Sequence, residues 1–186
     1  MTKTALILID IQNDYFNGGL MPLDGMDTAA ANASRLLSGA RARNETLFHI
    51  RHIAGSPEAP FFRPGTVGSE IHTTVQPAPN EIVLKKNRPN SFVGTGLEAA
   101  LHDAGVEHVI LCGAMSQMCV DATARAAVDM GFAVTVVSDA CAAASVNFAG
   151  VGVTSSQVHA AIMAPLAASY GKVVMTQDIA VNHPAG

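Results

Sequence analysis

Charge is scarce in this sequence, tryptophan is absent and cysteine appears only three times. Acidic and basic side chains make up 14% of the 186 residues against 49% apolar ones, the reverse of the balance that keeps a chain unfolded, so disorder is excluded. With 11 Lys and Arg against 15 Asp and Glu, the chain offers no basic field to a polyanion, and nucleic acid is not an expected partner. No long hydrophobic run occurs near the start: Ala5 to Ile9 is far shorter than a bilayer span and ends in Asp10, with no signal-peptide pattern before it, so no membrane partner is expected. Three cysteines, none in a C-x-x-C pair, cannot build a disulfide framework; reduced thiols and a cytoplasmic location are the simplest reading. Neither a G-x-G-x-x-G after the first strand nor a phosphate-loop Gly-Lys-Ser/Thr is present, which counts against a nucleotide-binding module.

The apolar residues that are present fall into ordered segments. The length fits one domain, 1–186. Ala5 to Ile11 is a branched apolar run interrupted only by Asp10, the pattern of a parallel strand covered on both faces. Asp27 is an expected N-cap for a helix from about Thr28 to Arg43, and a second strand is expected from Thr46 to Ile53. Between Ala54 and Asn80 five of the nine prolines accumulate, which marks a long surface loop. Further strands are expected at Glu81–Lys85, His108–Gly113, Ala133–Ser138 and Lys172–Thr176. Helices between them are expected from a Thr95–Glu98 capping box to Gly105, from Met118 to Met130, and from a Thr154–Gln157 capping box to Ser169. Such alternation implies an α/β fold, a mainly parallel sheet of six strands with helices on both sides. Ligands of such sheets bind beyond the carboxyl ends of the strands. Three polar residues fall there: Asp10, Lys86 and Cys119.

Each of the three has a chemical reading beside a bland one. A carboxylate at the end of an apolar strand is costly unless it is paired or serves as a base; it can also be a loop anchor. Lys86 follows Lys85, and period-two alternation sends only one of them into a site. Cys119 stands at a loop-to-helix junction, where helix N–H groups favour a thiolate, although a free cysteine is more commonly a buried core residue. Cys112 and Cys141 fit that core description.

Three segments, Leu8-Ile9-Asp10-Ile11-Gln12-Asn13-Asp14-Tyr15-Phe16, Lys86-Asn87-Arg88-Pro89-Asn90-Ser91-Phe92-Val93-Gly94-Thr95 and Cys119-Val120-Asp121-Ala122-Thr123-Ala124-Arg125-Ala126-Ala127, together resemble the isochorismatase-like cysteine hydrolase family. The resemblance implies a Rossmann-like three-layer αβα architecture and a catalytic triad of Asp10, Lys86 and Cys119. It also implies a cis peptide at Ala114–Met115 and an oxyanion hole from the N–H groups of Met115 and Cys119. The implied reaction is hydrolysis of a C–N amide bond in a small molecule through a thioester. A vinyl-ether hydrolase of isochorismatase type and a catalytically silent oligomeric member are the alternatives. No cofactor is implied.

Nicotinamidase-type members hold a divalent metal through an Asp and His cluster after the second strand, but here that strand offers only His49 and His52, three apart and facing opposite ways, so no metal is expected. Candidate substrate-binding residues are His52, at the carboxyl end of its strand, and the aromatics Phe16, Phe61, Phe62 and Phe92. His102, His108 and His183 are expected to face solvent, with His159 packed on its helix. A mean hydropathy of +0.28 points to apolar surface covered between subunits, as in a homo-oligomer, dimer or tetramer.

Overall fold

Branched residues at alternate positions give the sheet its two faces. A computed structural model describes residues 2–182, with side chains to Ile179; His183 lies outside the described residues. The strands β1 (Thr4–Ile9), β2 (Thr46–His52), β3 (Ile82–Lys86), β4 (His108–Ala114), β5 (Ala133–Ala142) and β8 (Lys172–Val174) form one sheet in the order β3-β2-β1-β4-β5-β8, every pair parallel. Leu6 and Leu8 of β1 enter one core with helix α1 (Met26–Ala42) and Ile179 of helix α5 (Thr176–Asn182). Ala5, Ile7 and Ile9 enter the other, with helices α2 (Leu97–Asp103), α3 (Asp121–Asp129) and α4 (Ser155–Ser169). The result is a three-layer αβα, Rossmann-like arrangement with a six-stranded sheet, as the strand alternation and the resemblance lead one to expect.

The chain runs outward from β1 through β2 to β3, then returns and runs the other way from β4 through β5 to β8. The order thus reverses between β1 and β4, and in open sheets of this kind ligands bind beyond the strand ends at such a reversal. Ile9 is level with both Ile50 and Gly113, and His52 with Lys86, so four strands end close together.

The structure departs from the expected elements at several points. Helix α1 starts at Met26, because Gly25 takes a positive φ of 73° as N-cap and Asp27 falls inside the first turn. At α2 the capping box does not form: Gly96 is the N-cap, while Thr95 Oγ1 accepts from Leu97 N–H and donates to the Ser91 carbonyl. The Thr154–Gln157 box forms as expected. The helix expected from Met118 is a π-turn at Ser116–Val120 followed by α3. A hairpin of β6 (Val146–Phe148) and β7 (Val151–Val153) and the helix α5 were not anticipated. The hairpin turns on Ala149 and Gly150, both at positive φ, and Ala-Gly lacks the Asn-Gly signature that announces such a turn. His108 is not turned to solvent, its Nε2 lying 2.9 Å from Thr135 Oγ1.

One close approach fixes the β1–β4 boundary. Gly113 adopts φ 125°, and a Cβ there would lie 1.9 Å from the Ile9 carbonyl oxygen. Gly113→Ala is therefore expected to destabilise the fold by about 3 kcal/mol, measured by denaturant unfolding. An unchanged unfolding midpoint would show that the two strand ends are not locked at this point.

Candidate active site

Asp10 is the first residue past β1. Its N–H still donates to the Ile50 carbonyl at 3.0 Å, but its φ of 52° turns the chain out of the ladder. Asp tolerates this left-handed conformation better than most residues because its short side chain bonds locally. Lys86, last in β3, points inward, while Lys85 faces out. The segment after it is pinned to α3: Thr123 Oγ1 accepts from Ser91 N–H at 3.1 Å and donates to Ser91 Oγ at 2.9 Å. Cys119 comes from the π-turn, which follows the cis Ala114–Met115 peptide. That turn is anchored by Ser116, whose Oγ donates to the Ala142 carbonyl and meets His159 Nδ1 at 2.9 Å. His159 thus packs on the π-turn as well as on its own helix.

These elements bring the three residues together. Lys86 Nζ lies 2.6 Å from Asp10 Oδ2, 3.2 Å from Cys119 Sγ and 3.1 Å from His52 Nδ1. The side chains of Lys86 and Asp10 are both 0% exposed. Removing either partner of such a pair leaves an uncompensated buried charge, a loss of about 3–5 kcal/mol.

Burial raises the proton affinity of Asp10, and the Lys86 charge and the Cys119 thiol only partly offset this. Asp10 Oδ1 is buried without a hydrogen bond of ordinary length, leaving one carboxylate oxygen open to a proton. Burial, followed by the neighbouring Asp10 charge, also pushes the Cys119 thiol well up, despite Lys86. Burial and Asp10 thus oppose the ionisation that the loop-to-helix junction was expected to favour. Cys119 lies in the π-turn ahead of α3, on a buried floor beside a carboxylate. Lys86 touches both the thiol and the carboxylate, so a proton can pass between them with no change in total charge.

Asp10, His52 and Cys119 hold potential ligand atoms within 4.8 Å of one another. The Lys86 ammonium already stands in contact with all three, so the set does not fit a resident dication. His49 is committed elsewhere, with Nε2 2.9 Å from Glu81, and His72 stacks on Phe16 at 3.6 Å.

The candidate substrate-binding aromatics divide between the two cores. Phe16 and Phe62 lie in the α1-side cluster and Phe92 in the other, stacked with Phe132 at 6.3 Å. Phe62 is 1% exposed, wedged against Tyr15 at 4.6 Å and Phe61 at 4.9 Å; of the four only Phe61 keeps appreciable surface. They do not form one wall. Cys119 itself is 5% exposed. A cavity of about 990 Å³ at the opposite end of the sheet is remote from the chemistry. A second, of about 580 Å³, includes Lys86 only through its main chain, since the side chain is fully buried, and Cys119 lines neither.

Two buried polar residues of the first motif carry more of the site than their sequence suggests. The Gln12 amide accepts from His52 N–H at 2.7 Å and donates to the His52 carbonyl at 2.8 Å, as a neighbouring strand residue would. Asp14 accepts N–H bonds from Leu20 and Phe62 and packs against Gly68, where any Cβ would lie 2.1 Å from its Oδ1. The only signal available was a polar side chain amid buried neighbours.

Burial and Lys86 lower the His52 pKa from 6.5 to about 4, so the unfolded chain binds a proton in that interval that the folded one refuses. This contribution to stability is present above pH 6.5 and is lost as the pH falls toward 4; the raised Asp10 pKa works in the opposite sense. The thermal midpoint is expected to fall over this interval, and less steeply in His52→Asn. Parallel curves for the two proteins would contradict a buried neutral His52.

A family model described as Isochorismatase domain matches residues 4–178. An uncharacterised isochorismatase family protein of Bacillus subtilis is 45% identical over 174 residues, 94% of this chain and 97% of that one. A solved isochorismatase-hydrolase homologue from Oleispira antarctica superposes with a TM-score of 0.93 at 40% identity, covering 97% of both chains. The maleamate amidohydrolase of Pseudomonas putida is 30% identical over an alignment covering 99% of this chain and 89% of its own.

Proposed function

Because this chain belongs to the isochorismatase family of hydrolases, which includes amidohydrolases, we propose that it is a cysteine-dependent amidohydrolase cleaving the C–N bond of a small-molecule amide. The observation that carries this reading is the convergence of Asp10, Lys86 and Cys119, from three distant segments, on one buried ammonium. Asp10 takes the thiol proton as the sulfur attacks the amide carbonyl. The N–H groups of Met115 and Cys119 are assigned to the tetrahedral oxyanion. Asp10 returns its proton to the leaving nitrogen, the C–N bond breaks, and ammonia or an amine departs from a Cys119 thioester. Water then attacks the thioester and gives a proton to Asp10. The C–S bond breaks, the acid is released and the proton returns to sulfur. Lys86 stays charged throughout, balancing the negative charge as it passes from carboxylate to sulfur.

With a panel of primary amides and ureido compounds assayed for ammonia release, Cys119→Ala is expected to lower turnover by about a thousandfold or more, and Asp10→Asn and Lys86→Ala nearly as much. Thermal melting of each variant separates lost chemistry from lost fold. Full activity in a folded Cys119→Ala protein would remove the covalent mechanism.

The chain is also proposed to act as a homo-oligomer in the cytoplasm. No Asp, Glu, Lys or Arg occurs between Asp139 and Lys172, and the stretch exposes Phe148 (84%), Val151 and the Ala160, Ala161, Ala164, Ala167 and Ala168 face of α4. No helix among the described residues is long and apolar enough to cross a membrane. Sedimentation is expected to give a dimer or tetramer that Phe148→Asp weakens; a wild-type monomer at micromolar concentration would contradict this.

A further inference from the structure

The proton transfer just described uses two contacts of Lys86 and leaves the third without a task. An ammonium has three N–H bonds and no lone pair, and the Lys86 side chain is wholly buried, so each N–H needs an acceptor from the protein. Two are the carboxylate and sulfur of the triad; the third is His52 Nδ1 at 3.1 Å. Only a neutral imidazole can accept there, with its proton on Nε2, and burial beside Lys86, which lowers the His52 pKa to about 4, favours that neutral form.

The position of His52 is itself over-determined. It stands directly beside Lys86 in the β2–β3 ladder, and the next residue, Ile53, donates its N–H to the Lys86 carbonyl at 2.8 Å. The fully buried Gln12 grips both its main-chain groups and ties them to the long loop through the Ser69 carbonyl at 2.8 Å. Phe62, with its ring centroid 5.9 Å from that of His52, flanks the imidazole.

Resting on the cysteine-hydrolase reading, we propose that His52 is a positioning residue: its ring accepts the third Lys86 N–H and holds the ammonium against Cys119 and Asp10. Without that acceptor one N–H is left buried and unpaired, the ammonium is free to pivot, and the nascent thiolate loses its counter-charge. This differs from a role in uniform substrate binding, whose loss would raise KM and leave kcat unchanged.

The experiment needs no substrate. The full-length protein is treated with iodoacetamide near neutral pH, and alkylation of Cys119, Cys112 and Cys141 is followed by peptide mass mapping. Wild type is compared with His52→Leu, His52→Gln and His52→Asn, with thermal melting as the check on folding. Asn places its amide oxygen close to the Nδ1 position, whereas the longer Gln carries its polar atoms toward Nε2. Cys119 is expected to react about tenfold more slowly in the Leu and Gln variants and at close to the wild-type rate in Asn. With any amide that is turned over, the Leu variant is expected to lose kcat more than it raises KM. Wild-type rates in folded Leu or Gln variants, or equal slowing in all three, would overturn the positioning role while leaving the hydrolase reading in place. A wild-type Cys119 no faster than Cys112 and Cys141 would overturn both.

Discussion

A lysine ammonium sealed from solvent must find an acceptor for every N–H bond, and the carboxyl end of this sheet is organised around that requirement. Lys86 finds a carboxylate, a sulfur and an imidazole nitrogen, each delivered by a different strand end. Were any one displaced, a buried donor would go unsatisfied, so the geometry of the site is tied to the stability of the fold. A buried pair of this kind contributes little net stability compared with apolar packing, and in the proposed mechanism its value lies in placing a charge where a proton moves.

The ammonium also resolves an electrostatic problem. A thiol and a carboxylate side by side in a low-dielectric floor both resist ionisation, and burial raises the proton affinity of each. One negative charge shared between them is tolerable because a fixed cation touches both positions. The site therefore needs no resting thiolate, in contrast to cysteine sites activated by a helix N-terminus or a histidinium. Cys112 and Cys141 are buried and pushed up in pKa as Cys119 is; what sets Cys119 apart is the carboxylate and ammonium beside it.

Much of this was legible in the sequence. Asp10 breaks an apolar run, Lys86 ends a strand and Cys119 follows one, and topology alone brings strand ends at a switch point together. The histidine assignments were legible in part: alternation along β2 separates His49 from His52, but nothing in the spacing says that His52 turns toward the ammonium of the neighbouring strand. Gln12 and Asp14 were hidden because their main partners, His52, Phe62 and Ser69, lie 40 to 57 residues away in sequence. The π-turn was read as a helix start because the two differ by a single hydrogen-bond step that residue preferences do not encode. The β6–β7 hairpin escaped because its turn places an alanine at positive φ.

The central claim is that Cys119 sulfur carries the acyl group. Rapid acid quenching during turnover of an amide or activated ester, followed by peptide mass mapping, tests it most directly. The account predicts an acyl adduct on the peptide containing Cys119 that decays as the acid product forms. An adduct on any other residue, or turnover that persists after Cys119→Ala, would contradict it.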